Sequence, residues 1–224
     1  MEKKVNLIEN FVSWQGEGPD SGKTMIILRF KTCDRNCPWC DTKVKMRVSA
    51  EASYKLSDIQ KTIYKKSAGV LITGGEPTVK RHIDETITLL KDLDYPIANV
   101  ETNGFNILGL INKIELERPV KFILSPKIFN SNDAAFYRDI LSKIHDHPNL
   151  YLKLVYEADN GYSKSFLDYL RIKHQEMIRE QRIWVMPEGT TKEELFKNAP
   201  AVFDICDEYN FNFSSRSHII FDFV

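Results

Sequence analysis

The sequence predicts an α/β fold: an open, shortened TIM-like barrel of about six parallel strands with outer helices, forming one domain over residues 1–224. Three observations predict it. Short apolar runs alternate with longer amphipathic ones, which implies parallel strands joined by right-handed crossovers. Six such units are too few to close an eightfold barrel. The unusual polar, Gly- and Pro-rich segments all follow strand ends, the rim on which ligands collect in such folds.

In order, the expected strands are 25–30, 70–73, 98–101, 122–124, 150–156 and 183–186, each a short apolar run bounded by turn residues. A further apolar run at 218–223 is expected to close the chain as a strand. Helices are expected at 57–65, with Ser57 as N-cap, and at 82–93, with Ile83, Ile87, Leu90 and Leu93 on one face. Others are expected at 106–114, 134–145, 165–175 and 191–209. No sequence repeat or low-complexity segment interrupts the series.

Composition narrows the function classes. With 42% hydrophobic and 28% charged residues the chain reads as an ordinary globular protein. Lys plus Arg equals Asp plus Glu at 31 each, and no basic run forms a local patch, so neither nucleic acid nor a membrane surface is an expected partner. The start, Met1-Glu-Lys-Lys-Val5, has no apolar signal core behind it, and no stretch approaches the roughly 20 apolar residues of a membrane span. Sparse, clustered cysteine fits a reducing interior, so the expected location is cytoplasmic.

Three of the four cysteines crowd into Cys33-Asp-Arg-Asn-Cys37-Pro-Trp-Cys40. Three such thiolates cannot pair off as disulfides, but they can converge on one metal site. A structural zinc site is normally closed by four protein ligands, whereas an iron-sulfur cluster can leave one iron open to a small molecule. The alternatives are a zinc knuckle and three cysteines buried as small hydrophobes. Cys206 lies in an amphipathic segment and reads as core. The histidines have no ligand spacing: His145 and His147 flank a helix end, and His82 and His174 read as surface or cap residues.

The remaining motifs follow strand ends. In Thr73-Gly-Gly-Glu-Pro77 the glycines let backbone approach a ligand and donate to it, and Glu76 can accept from an ammonium group; the alternative is an ordinary turn. Glu101-Thr-Asn-Gly104 offers a carboxylate and the Asn103 amide to ribose or amino-acid groups, or is a common turn. Ser125-Pro-Lys127 brings a hydroxyl and a cation to the same rim. Asp41-Thr42 offers oxygens suited to a hard cation such as magnesium, with a helix or turn cap as the alternative for Asp41. Gln15-Gly-Glu-Gly18 suggests backbone bent to expose its polar groups. Arg29, inside an apolar strand, needs an anionic partner: a substrate carboxylate or an internal carboxylate.

Together, Cys33-x3-Cys37-x2-Cys40 and Thr73-Gly-Gly-Glu-Pro77 resemble the radical S-adenosylmethionine superfamily. That resemblance implies a 4Fe-4S cluster on the three cysteines, S-adenosylmethionine chelating the fourth iron, and a 5′-deoxyadenosyl radical that abstracts hydrogen. Gln15-Gly-Glu-Gly18-Pro, Arg29, Cys37-Pro-Trp-Cys40-Asp-Thr42, Glu101-Thr-Asn-Gly104, Ser125-Pro-Lys127 and Met186-Pro-Glu-Gly189 occur in order, and the set resembles the 7-carboxy-7-deazaguanine synthase family over about residues 10–216. This implies conversion of 6-carboxy-5,6,7,8-tetrahydropterin to 7-carboxy-7-deazaguanine with loss of ammonia, in queuosine-type biosynthesis. It also implies a magnesium ion, a homodimer and an external electron donor such as a flavodoxin or ferredoxin.

By position, the resemblance assigns Cys33, Cys37 and Cys40 to the cluster and Thr42 to magnesium. It assigns the backbone of Trp14, Gln15 and Gly16, with Arg29 and Thr73, to the pterin. Gly75, Ser125, Pro126, Lys127, Val185, Met186, Pro187 and Glu188 are assigned to S-adenosylmethionine. The chain departs from the family after Arg216-Ser-His218, continuing as Ile219-Ile-Phe-Asp-Phe-Val224 in place of a Trp-Gly-Asn-like tail. Two rival readings stand beside this one. An enzyme that makes a glycyl radical on a partner protein shares the cysteines and the Gly-Gly-Glu-Pro loop but gives no reason for Arg29 or Gln15-Gly-Glu-Gly18. A non-catalytic zinc-stabilised interaction module leaves the single rim of polar loops unexplained.

Overall fold

The computed structural model describes residues 2–115 and 118–223. Its contacts divide the chain into two compact units, Met1–Gln15 with Gly22–Phe122, and Gly16–Ser21 with Ile123–Val224.

In the first unit, β1 (Lys4–Leu7), β2 (Glu9–Trp14), β3 (Thr24–Phe30), α1 (Lys43–Val48), β4 (Ala52–Lys55), α2 (Leu56–Lys66), β5 (Gly69–Gly74), α3 (Ile83–Asp92), β6 (Ala98–Thr102) and α4 (Ile107–Ile111) lead to β7 (Val120–Leu124), within which the division falls. β3, β5 and β6 are parallel neighbours. Their apolar runs are buried on both faces, as crossover strands require: Met25, Ile26, Leu28, Phe30, Val70, Ile72, Ala98 and Val100 are all fully buried. β2 is antiparallel to β3, and β1 pairs with β4 in a separate two-stranded sheet. None of β1, β2 and β4 was expected from the sequence, because their alternation is short and partly polar.

In the second unit a 3₁₀ turn at Gly18–Asp20 stands apart in sequence from α5 (Ser131–Ile144), β8 (Leu150–Tyr156), α6 (Gly161–Lys173), α7 (Gln175–Arg179), β9 (Ile183–Pro187), α8 (Lys192–Tyr209), β10 (Asn212–Phe213) and α9 (Ser217–Phe221). β8, β9 and β10 are parallel neighbours. α8 opens with a capping box, Thr191 accepting from the Glu194 amide while the Glu194 carboxylate accepts from the Thr191 amide.

Three local expectations are corrected. The run at 218–223 is not a strand: backbone at Arg216 turns through φ +53° into α9. A short apolar run fits either element, and no sheet edge takes this one. Ser57 is not an N-cap; α2 begins at Leu56 after Lys55, and the Ser57 hydroxyl donates to Glu2. α3 buries Ile83 and Leu90, with Leu93 just beyond it, as expected, but adds Thr86 and Leu89 and leaves Ile87 only half-buried. His82 caps α3 and His174 lies at the junction of α6 and α7, cap positions as expected, and both are buried; Cys206 is core as expected. No helix among the described residues is long and apolar enough to cross a membrane.

Candidate active site

The register of the first unit sets the site. Arg29 pairs with Thr73 across β3 and β5, and one strand further the Thr73 hydroxyl donates to Glu101 at 3.3 Å. Arg29, Thr73 and Glu101 therefore form a row across the carboxyl ends of three adjacent strands. Gln15 donates to the other oxygen of Glu101 at 3.1 Å. Antiparallel register also brings Glu9 opposite Arg29, and its carboxylate accepts from Arg29 Nε at 2.6 Å and pairs with Lys45 at 3.0 Å. The internal-carboxylate alternative for Arg29 is thus met at Nε. Nε has an internal partner, while the two terminal nitrogens make no hydrogen bond among the described residues.

Beyond β3 the three cysteines lie on one loop, none of them in a disulfide, Cys37 buried and the other two half-buried. That loop is laced to the next strand end. The Gly75 amide donates to Phe30 O and the Glu76 amide to Thr32 O, both at 2.8 Å. A Cβ on Gly75 would stand 2.1 Å from Thr32 O, and one on Gly74, at φ +118°, would stand 2.3 Å from the Phe30 amide nitrogen. Glycine at both positions is a requirement of backbone meeting backbone. His82 stacks on Phe30 with centroids 4.5 Å apart, and its Nε2 accepts from the Thr32 amide at 3.2 Å. Burial lowers the His82 pKa, which favours the neutral ring that can accept. Sequence reasoning missed this support for the cysteine loop, since nothing local marks it.

Glu76 is 1% exposed. Oε1 accepts from the Thr78 amide at 2.9 Å and from the Thr78 and Thr102 hydroxyls, each at 2.6 Å; Oε2 accepts from the Asn103 backbone amide at 2.6 Å. The group ties two strand-end loops together, and Oε2, with a single donor, keeps acceptor capacity. Burial, opposed by these bonds, leaves its pKa raised. The Asn103 side-chain amide donates to Asp34 in the cysteine loop at 2.6 Å. Three loops that the sequence placed on one rim are bonded to one another.

The donor set fits an iron-sulfur cluster. Burial first, then Glu76, Asp34 and Cys37, push the Cys33 thiol up to about 11, against the lowering effect of the Arg35 amide. Such a thiol is neutral at pH 7 until a metal takes its proton's place. Thr42 is the N-cap of α1 yet makes no side-chain capping bond; its hydroxyl lies 3.5 Å from Cys40 Sγ. Capping therefore does not explain it, and the hydroxyl suits a hard cation.

In the second unit Ser125 and Lys127 are joined, Nζ to Oγ, at 2.8 Å beyond β7. Val185, Met186 and Pro187 are buried within β9, and the Val185 carbonyl already accepts from the Ser214 amide. Of the four expected cofactor positions on this segment only Glu188 is partly exposed. Its carboxyl is pushed up by burial and by Glu194 and Glu157. The Val185 side chain is part of the core.

Comparison with known proteins gives these loops a setting. A protein of Haemophilus influenzae named 7-carboxy-7-deazaguanine synthase is 35% identical over 107 residues, 48% of this chain and 49% of that one, so this alignment spans about half of each. One of the same name from Aquifex aeolicus is 28% identical over 197 residues, 86% of this chain and 82% of that one. The crystal structure of QueE from Escherichia coli matches with a TM-score of 0.62 at 20% identity, covering 94% of this chain and 92% of that one, and shows the same α/β fold. The sequence model of the Radical SAM superfamily matches residues 27–181, a span that contains Arg29, the three cysteines, the Gly74-Gly75 crossing and the Glu76 hub, and the chain belongs to that superfamily.

Proposed function

We propose that the protein converts 6-carboxy-5,6,7,8-tetrahydropterin to 7-carboxy-7-deazaguanine with loss of ammonia. The observation that carries this reading is the row of Arg29, Thr73 and Glu101 beside the cysteine loop. It is supported by the names of relatives that align along most of the chain. Substrate and product differ by the elements of ammonia, so the reaction needs no net oxidant. When bound, the 4Fe-4S cluster and S-adenosylmethionine supply the one-electron chemistry that starts hydrogen abstraction.

The chain's own residues orient and exclude. Cys33, Cys37 and Cys40 hold the cluster, and Gly75, Glu76, Asn103, Ser125, Pro126, Lys127, Val185, Met186, Pro187 and Glu188 hold S-adenosylmethionine. The terminal nitrogens of Arg29 take the substrate carboxylate, and Glu9, by fixing Nε, sets the plane of the guanidinium. Gln15, Thr73 and Glu101 offer donors and acceptors to the amide and amine edge of the pterin, with the backbone at Trp14 and Gly16. Thr42 holds magnesium, which screens the substrate carboxylate. An external one-electron donor such as a flavodoxin or ferredoxin, and a homodimeric assembly, complete the proposal. The activating-enzyme alternative gives Arg29 no ligand.

The test is anaerobic reconstitution with iron and sulfide, then incubation with S-adenosylmethionine, dithionite, magnesium and the carboxytetrahydropterin, followed by mass spectrometry. Deoxyadenosine together with 7-carboxy-7-deazaguanine is the expected result. Deoxyadenosine without the deazapurine, from protein of full iron content, would overturn the substrate assignment. Arg29→Ala is expected to raise the pterin KM about tenfold or more, since a charge-assisted bond contributes roughly 1.5–3 kcal/mol, while pterin-independent deoxyadenosine formation persists. Equal loss of both activities would remove Arg29 from substrate binding.

A further inference from the structure

In the second unit, three consecutive residues of the Gln15-Gly-Glu-Gly18 loop are each bonded to the segment 214–217. The Gly18 amide donates to Ser214 Oγ at 3.0 Å. Arg216 Nε donates to Glu17 Oε1 at 2.9 Å. The Ser217 amide donates to Gly16 O at 2.9 Å, and the Ser217 hydroxyl reaches the same oxygen at 3.3 Å. From β8, Lys153 donates to the other oxygen of Glu17 at 2.5 Å.

The segment is itself fixed to β9 and the loop after it. The Ser214 amide donates to Val185 O at 2.8 Å, and Arg216 Nη1 donates to Gly189 O. Gly16 is closed in on its other side, where an added Cβ would stand 2.3 Å from Nδ1 of His218. Glu17, Lys153, Ser214 and Arg216 are all buried.

Buried ion pairs contribute little net stability compared with apolar packing, so their presence calls for another reason. Here the anion is flanked by two backbone bonds to the same short segment, and what the set fixes is the course of the backbone from Gly16 to Gly18. Burial opposes the charge on Glu17, yet Lys153, Arg216 and His218 hold its carboxyl well below the usual carboxylate range.

We propose that Glu17 is a positioning residue: clasped by Lys153 and Arg216, it locks the Gly16–Gly18 backbone onto the 214–217 segment and so fixes the Gly16 peptide that receives the pterin. This rests on the substrate reading above. It also gives the chain's departure after His218 a consequence. The residues that carry the lock, Ser214 to Ser217, precede the altered tail, so the lock does not depend on a Trp-Gly-Asn-like ending.

Two variants of the full chain test it, Glu17→Gln and Ser214→Ala, each reconstituted and assayed with the wild type. Glu17→Gln is expected to raise the pterin KM about tenfold, and Ser214→Ala about threefold, with iron content and pterin-independent deoxyadenosine formation retained. Amide hydrogen exchange at residues 16–18 should quicken in both, a readout that needs no substrate. Unchanged KM in a Glu17→Gln enzyme of full iron content overturns the proposal. So does parallel loss of both activities, which is the signature of general fold support. Should Glu17→Gln not fold, Ser214→Ala decides, and unchanged KM with unchanged exchange counts against the lock. A wild type that makes deoxyadenosine but no deazapurine rejects the substrate reading instead, and exchange at 16–18 still reports on the lock.

Discussion

Cys37→Ala is expected to abolish deoxyadenosine formation and all turnover while leaving the protein folded. Cys37 is the buried member of the triplet, and its loss removes one of only three thiolates that the loop can offer. A cubane held by two cysteines has a second iron without a protein ligand, and the reconstituted protein should lose its iron on desalting. The fold does not share this dependence. Truncating one small buried side chain costs about 1 kcal/mol, a shift of ~2–4 °C in Tm for a chain of this size. Iron analysis, the visible spectrum and a thermal melt of the metal-free protein separate the two effects. A Cys37→Ala enzyme with wild-type product would remove the cluster from the mechanism. A metal-free protein that no longer melts cooperatively would mean that the cysteine is structural.

Gly75→Ala is expected to be almost as damaging, through backbone rather than ligand loss. The new methyl group would stand 2.1 Å from Thr32 O, 2.3 Å from Thr32 C and 2.9 Å from the Cys33 amide nitrogen, atoms that cannot rotate away. Either the Gly-Gly-Glu-Pro loop or the cysteine loop must retreat, breaking the Gly75-to-Phe30 and Glu76-to-Thr32 bonds. A displacement of about 1 Å at a positioning element costs on the order of a hundredfold in turnover. Lower iron retention and weaker S-adenosylmethionine binding should accompany it. Gly161→Ala is the control. Nothing lies within 4 Å of its Cβ position at the start of α6, so activity should be unchanged and α6 slightly more stable. Wild-type turnover by Gly75→Ala would show that the two loops are not held as close as their bonds imply.

The cysteine triplet and the Gly-Gly-Glu-Pro loop were legible because their chemistry is local. Spacing alone brings three thiols onto one loop, and two adjacent glycines after a strand mark a close backbone approach whatever lies opposite. The parallel strands were legible from apolar runs too short for helices. The longest helix among the described residues, expected at 191–209, runs over Lys192–Tyr209. What was not legible also has a common source. The donors that hold Glu76, the Thr102 hydroxyl and the Asn103 backbone amide, arrive from another strand end, 26 and 27 residues away. His82 was legible as a cap, but not its bond to Thr32, which lies 50 residues back.

The sequence by itself determined which residues are on offer to the proposed chemistry: three thiols, a glycine crossing, an arginine in an apolar strand and a set of polar strand ends. Those are properties of residue type and short spacing, set by backbone periodicity over a few positions. Only the tertiary structure decided how they are used. It gave Arg29 an internal partner on Nε through the antiparallel register of β2, turned Glu76 inward, and joined Glu17 to Arg216 across 199 residues. Strand register and chain return fix such pairings, and neither leaves a mark within a dozen residues of the groups it joins.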